Sequence, residues 1–244
     1  MLRKIRNAIE KTRLQRDCPE QIAPAVKSMD AIGLVFGRGD KTMLRKMKAS
    51  ALGRKLLDER HDILALISDR DSLRSLPEGS LGREYCRFAE ESELYPEVLA
   101  RIVREARAET GGFVPESMPE AAYLHDRFRD LHDLWHTLTG YGTDMAGEWG
   151  IIAFQCSQVD YRSMQIMAFP NVVRNAIPRR PDLIATWFRA RRRGKRTRFL
   201  LAQDWDRLLP MPLEEVRREL GVEPLGAAYR TWNYPASAPA HAES

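Results

Sequence analysis

The stretch LHDLWHTLTGYGTDMAGEWGIIAF, residues 131–154, decides the fold. Its first half closes a helical segment that runs from Pro119 to Leu138. Thr139-Gly140-Tyr141-Gly142 ends that segment, because glycine admits the left-handed backbone that terminates a helix. A second helix starts near Asp144 or Met145 and extends to Met164. It is apolar nearly all round, with Trp149, Ile151, Ile152, Phe154 and Val159, the composition of a buried central helix. The short connection favours an antiparallel pair, so the spacing predicts a central buried helix hairpin.

Outward from the hairpin, apolar residues recur at three and four, and Gly and Pro fall mainly between such segments. The chain reads as all-α, a single mostly helical domain. Residues 1–15 form an amphipathic stripe of Leu2, Ile5, Ile9 and Leu14 among basic residues, and 42–68 give one or two amphipathic helices. Leu76 to Gly82 is a turn leading into a helix near Ser80 or Leu81. Tyr95-Pro96 is a break before a helix over 97–109, which Gly111-Gly112 ends. Pro170, Pro178 and Pro181 mark breaks, a basic helix covers 182–193, and Pro212 opens a last short helix to Leu220. The small, polar residues 236–244 read as a disordered tail.

Composition narrows the function classes. No stretch approaches the roughly 18 uninterrupted apolar residues of a membrane-spanning helix, and no apolar run with a cleavage site opens the chain, so the expected compartment is the cytoplasm. Cys18, Cys86 and Cys156 lie far apart and are odd in number, which favours reduced core thiols over a disulfide framework. A net charge of +5 favours anionic partners.

The chemistry concentrates in His132, Asp133, His136 and Glu148: two imidazoles, two carboxylates and no thiolate, a set suited to a borderline divalent cation. On a helix His132 and His136 lie about 40° apart, with Asp133 within about 100° of both. Glu148 sits as far past the turn as His136 sits before it, so it completes the site across the hairpin. Two rival readings stand beside this one. Histidines four apart with a neighbouring acid also occur as ordinary polar residues, and His125-Asp126 supplies the upstream histidine that a histidine-aspartate phosphohydrolase needs.

The run Arg127 to Gly140, with Glu148 twelve residues after His136, resembles the His-Asp-x-x-His-x(11)-Glu signature of the coenzyme Q biosynthesis protein 4 family. Leu76 to Tyr85 and Asp204 to Leu220 look like that family's central and C-terminal elements in the expected order. The resemblance covers roughly residues 30–222, leaving 1–29 as an N-terminal amphipathic extension and 223–244 as a partly disordered tail. It implies a helical protein of ubiquinone biosynthesis holding a divalent metal, Zn2+ foremost and Fe2+ as the redox alternative. It further implies a peripheral location on the inner face of a membrane, among the other ubiquinone-biosynthesis enzymes. Two roles follow from it: C1 decarboxylation of a polyprenylated 4-hydroxybenzoate-type quinone precursor, with or without coupled hydroxylation, or a non-catalytic scaffold that presents prenyl lipids around a structural metal. Trp135 and Tyr141 are bulkier than the family pattern leads one to expect.

Trp149, Ile152, Phe154, Met164 and Met167 follow the proposed ligand Glu148 and could line an apolar groove for the prenyl chain, although each also fits ordinary helical core. Arg189, Arg191, Arg192, Arg193, Lys195, Arg196 and Arg198 form a run without an acid beside Trp187 and Phe188. This suits an anionic membrane surface or a solvated face; no nucleic-acid module accompanies it, so no nucleic-acid partner is expected. A homodimer is compatible with the sequence, which leaves the oligomeric state open.

Overall fold

A computed structural model describes residues 39–110, 118–227 and 229–232. The predicted N-terminal amphipathic stripe, Cys18, Gly111-Gly112 and the tail from 236 onward lie outside the described residues. Within them the chain is helical throughout, with no strand. In order the helices are α1 (Asp40–Lys48), α2 (Ala51–Glu59), α3 (Ile63–Ser68), α4 (Arg70–Ser75), α5 (Leu81–Glu91), α6 (Pro96–Thr110), α7 (Pro119–Asp130) and α8 (His132–Thr139). They continue with α9 (Met145–Gln158), α10 (Arg162–Arg179), α11 (Asp182–Arg196), α12 (Trp205–Leu208) and α13 (Leu213–Leu220), with a 3-10 turn at Leu200–Ala202.

Short polar side chains set six of the thirteen starts among the described residues. Ser50, Asp62, Asp69, Ser80, Asp144 and Asp204 each accept a backbone N–H of the helix that follows, contributing about 1 kcal/mol apiece. Pro96 and Pro119 open α6 and α7, where the absent N–H has no intrahelical partner to lose.

The turn predicted between the two central helices joins α8 to α9. Gly140 ends α8 at φ 82°, and its N–H donates to His136 O at 2.8 Å. Asp144 then starts α9: Oδ1 accepts from Ala146 N at 3.1 Å and Gly147 N at 3.3 Å, and also from Trp232 N at 2.7 Å. The Trp232 ring stacks on Trp149 at 5.4 Å, so the start of α9 is tied to a segment over eighty residues away. Helix α9 packs most extensively on α11 and next on α10, while α5 lies against α8. Gly194 makes the α9 to α11 approach close enough that a Cβ there would stand 2.1 Å from Ser157 Oγ and 2.5 Å from Phe154 O. One apolar core unites these elements, with Trp135, Phe154 and Trp205 fully enclosed and Cys86 and Cys156 buried as free thiols.

Several boundaries differ from the sequence reading. The single segment over 119–138 is two helices meeting at Leu131, a fully buried residue whose ψ of −6° interrupts the regular ladder although neither Gly nor Pro is present. The helix predicted to reach Met164 stops at Gln158, because β-branched Val159 is extended at φ −132° and ψ 149°. Met164 and Met167 therefore ride on α10. Pro170 does not break that helix: the buried stripe of Ala168, Val172 and Ala176 offsets the one ladder bond it forfeits. Residues 42–68 give parts of three helices. Among the described residues no helix is long and apolar enough to cross a membrane.

Candidate metal centre

His132 and His136 are one turn apart on α8, and Glu148 reaches them from the first turn of α9. One donor atom from each lies within 4.8 Å of the other two. The two histidine Nε2 atoms are 3.2 Å apart, Glu148 Oε2 is 3.5 Å from His132 Nε2, and Glu148 Oε1 is 3.5 Å from His136 Nε2. Ligands about 2.0–2.1 Å from a tetrahedral ion stand about 3.3–3.4 Å from one another, so three nitrogen and oxygen donors at these separations fit a divalent cation. His136 is buried, whereas His132 and Glu148 keep partial access to solvent.

The outer nitrogens are also committed. Tyr141 O lies 3.0 Å from His136 Nδ1, and a carbonyl can only accept, so Nδ1 carries the proton and Nε2 keeps its lone pair for the cluster. Gln155 brings its amide to His132 Nδ1, with Nε2 at 3.0 Å and Oε1 at 3.4 Å; a His132 that ligates through Nε2, or that is protonated, carries a proton on Nδ1, so Oε1 is the atom that accepts from it. Phe88 of α5 stacks on the His136 ring at 5.8 Å and 17°.

Charge is divided accordingly. For His132, burial opposes the cation, but the Glu148 carboxylate, with smaller help from Asp133 and Gln155, outweighs it and raises the pKa to about 9. For His136 burial dominates and lowers the value, which keeps it neutral. Glu148 is pushed up by burial and pulled down more strongly by His136 and His132, ending below the ordinary carboxylate range.

Asp133, the fourth predicted ligand, is not among the three clustered donors. It is buried on α8, burial raises its pKa, and it feels the charges of His132, His136 and Glu148. The Tyr85 hydroxyl, buried without a hydrogen-bond partner, feels the Asp133 charge in turn. Gln155, Phe88 and Tyr85 escaped the sequence reading. Gln155 was within reach, since it follows Glu148 by seven residues and so shares its helical face; Phe88 and Tyr85 arrive from a helix remote in sequence.

The remaining predicted residues separate. Phe154 is fully buried against Trp135, and Trp149 is buried under Trp232, so both are packed into the closed core. Ile152, Met164 and Met167 stay partly buried. Trp135 does not crowd the cluster, because its ring lies edge-on between Phe128 and Phe154. In the basic run Arg189, Arg192, Lys195, Arg196 and Arg198 are exposed and Arg191 is half-buried against Gln165. Arg193 is a correction: it is no surface cation but is buried, its Nη2 donating to Thr139 O at 2.8 Å and its Nε to Glu223 O at 2.9 Å. His125 is buried and bonded to Asp40 at the start of α1, with its ring edge-on to Tyr161, so it does not serve the cluster as a phosphohydrolase histidine would.

A family profile described as coenzyme Q (ubiquinone) biosynthesis protein Coq4 matches residues 37–226. The mitochondrial ubiquinone biosynthesis protein COQ4 homolog of Danio rerio is 32% identical over 191 residues, covering 76% of this chain and 66% of that protein. The Homo sapiens homolog is 32% identical over 185 residues, covering 75% and 65%. The match thus spans just under two thirds of the length of these relatives. The crystal structure of a Nostoc punctiforme protein, described as a candidate ubiquinone biosynthesis protein, shares the fold at a TM-score of 0.65 and 22% identity, over 90% of this chain and 96% of that one.

Proposed function

The chain belongs to the coenzyme Q (ubiquinone) biosynthesis protein Coq4 family, and from that premise we propose that it acts in ubiquinone biosynthesis as a metal-dependent decarboxylase. Its substrate in this reading is a polyprenylated 4-hydroxybenzoate-type precursor, which loses its ring carboxylate at carbon 1 as carbon dioxide and takes up a proton there. The observation that carries the reading is the convergence of His132, His136 and Glu148 with both outer imidazole nitrogens already engaged.

A divalent ion, zinc or iron(II), would be held by these three residues, with the Asp133 charge near them outside the cluster, and would supply Lewis-acid stabilisation of negative charge on the ring. The chain's own groups set the conditions for that chemistry. Tyr141 O fixes the His136 tautomer, Gln155 orients His132, and Phe88 on α5 covers the buried side of the cluster and keeps water from it. Ile152 lies one turn beyond Glu148, and partly buried Met164 and Met167 sit on the neighbouring α10, a suitable path for a flexible prenyl tail. The exposed cations of α11 suit a peripheral position on an anionic membrane, close to the other enzymes of the pathway.

Elemental analysis of the wild type beside His132→Ala and Glu148→Ala, run with release of labelled carbon dioxide from a carboxyl-labelled prenylated hydroxybenzoate, tests the reading. One equivalent of metal, lost in both variants together with at least about a thousandfold of the turnover while circular dichroism is unchanged, is the expected result. Metal retained in both variants overturns the site. A metal-loaded wild type that releases no carbon dioxide replaces the decarboxylase with the scaffold that presents prenyl lipids.

A further inference from the structure

A cavity of about 270 Å³ opens between α11 and residues 223–226 with Tyr229. Thr186, Arg189, Arg192 and Arg193 line one side of it, and their spacings of three and four place all of them on one face of α11. Arg193 is only 6% exposed. Its Nε and Nη2 are taken by backbone carbonyls, its guanidinium lies over the Tyr141 ring at 5.0 Å, and its Nη1 is enclosed, so Arg193 adds positive charge behind the wall rather than a donor inside the cavity. Arg189 gives its Nε to Ala185 O at 3.2 Å, and among the described residues neither Arg189 nor Arg192 has a carboxylate within ion-pair distance. The acids nearby are already neutralised, Asp182 by Arg180 at 2.6 Å and Glu223 by Arg196 at 2.6 Å.

Three guanidiniums on one wall repel one another, and an anion in the cavity relieves that repulsion. We propose that this cavity is a phosphate site, taking a phosphomonoester or diphosphate group on Arg189 and Arg192, with the buried charge of Arg193 behind them. A dianion matches the clustered charge better than a single carboxylate, and the volume holds more than one phosphoryl group. Planar guanidinium forks suit phosphate oxygens, and the Thr186 hydroxyl adds a neutral donor. Arg192 also borders a shallow depression lined by Arg191, Lys195 and Arg196 together with Phe188, which is 57% exposed. An apolar ring beside the anion seat favours a phospholipid headgroup over a free phosphate. The inference stands without the metal reading, since none of these residues belongs to that cluster.

Titration calorimetry of the full chain with inorganic diphosphate, and sedimentation with phosphatidylcholine vesicles with or without phosphatidic acid, test it. The double variant Arg189→Ala/Arg192→Ala leaves the backbone contacts of Arg193 intact, and Arg191→Ala/Lys195→Ala removes the same charge from outside the cavity. Saturable diphosphate binding that falls about a hundredfold in the first pair and less than about threefold in the second is expected. Diphosphate that also displaces the protein from phosphatidic acid vesicles identifies a headgroup seat; diphosphate that binds without displacing it identifies a soluble phosphate ligand. Absence of saturable binding to the wild type, or equal weakening by both pairs, reduces the face to diffuse positive charge and overturns the proposal.

Discussion

At His132 burial and a carboxylate pull in opposite directions, and the carboxylate wins. Without metal the imidazole is a cation at neutral pH, paired with Glu148. Its folded pKa of about 9 exceeds the unfolded 6.5, so its stabilisation, at most about 3 kcal/mol, is fully present below pH 6.5 and is lost as pH rises through 9. Glu148 is depressed, so its share is present above the unfolded 4.5 and is lost as pH falls through the folded value. His136, held neutral by burial, contributes above the unfolded 6.5 and loses its share as pH falls below it, so the chelator-treated protein is expected to melt highest near pH 6.5, an optimum that flattens on the alkaline side in His132→Gln. A ligating His132 must give up that proton, so metal uptake at pH 7.5 should release about one proton, read as a binding enthalpy that varies with buffer ionisation enthalpy. Gln155 acts on the same ring from behind. Its replacement by Leu leaves His132 Nδ1 without a partner and should weaken metal binding about 10- to 100-fold in competition with a chromophoric chelator; an unchanged affinity would deny Gln155 any orienting role.

Among the elements, the contact of α9 with α11 governs how rigidly Glu148 is presented, and Gly194 governs that contact. A methyl group at Gly194 meets Ser157 Oγ and the Phe154 carbonyl at distances no real Cβ tolerates, and the carbonyl cannot swing aside. Gly194→Ala should cost about 3 kcal/mol by urea unfolding, whereas Gly226→Ala, with nothing within 4 Å of its Cβ, should stay within about 0.5 kcal/mol. Where a cause was local, the elements were legible in advance: Gly140 as a left-handed stop, the opening of a helix near Ser80 or Leu81, the break at Pro96 and the start at Pro212. Where the cause was tertiary they were not. Nothing in the composition around Leu131 separates α7 from α8, and Pro170 stays helical only because its neighbours are buried. Arg193 reads as surface charge in a run of cations, yet the fold turns that one side chain inward.

On the scale of the whole molecule the candidate site was readable as far as it is built on one hairpin. His132, His136 and Glu148 follow from helical rise and a short turn, whereas Phe88 and Tyr85 depend on how α5 docks, which periodicity does not report. Asp133 marks the limit of such reasoning, since angular nearness on a helix wheel did not bring its carboxylate into the cluster. The far end of α8 shows what the assembled fold adds. Arg217 of α13 donates to Leu138 O at 2.9 Å and Thr137 O at 3.0 Å, and Arg193 of α11 donates to Thr139 O. The carbonyls that a free helix end would offer to water are held by cations anchored in two other helices. This turn therefore has no private way to fray: it opens only with α11 and α13. In heavy water the Gly140 amide, bonded to His136 O, should exchange its hydrogen for deuterium as slowly as the amides of buried α9 and in step with them, and metal should slow both together. Exchange at Gly140 many times faster than in α9 would mean that the ligand turn opens alone, and that the two arginines do not moor it.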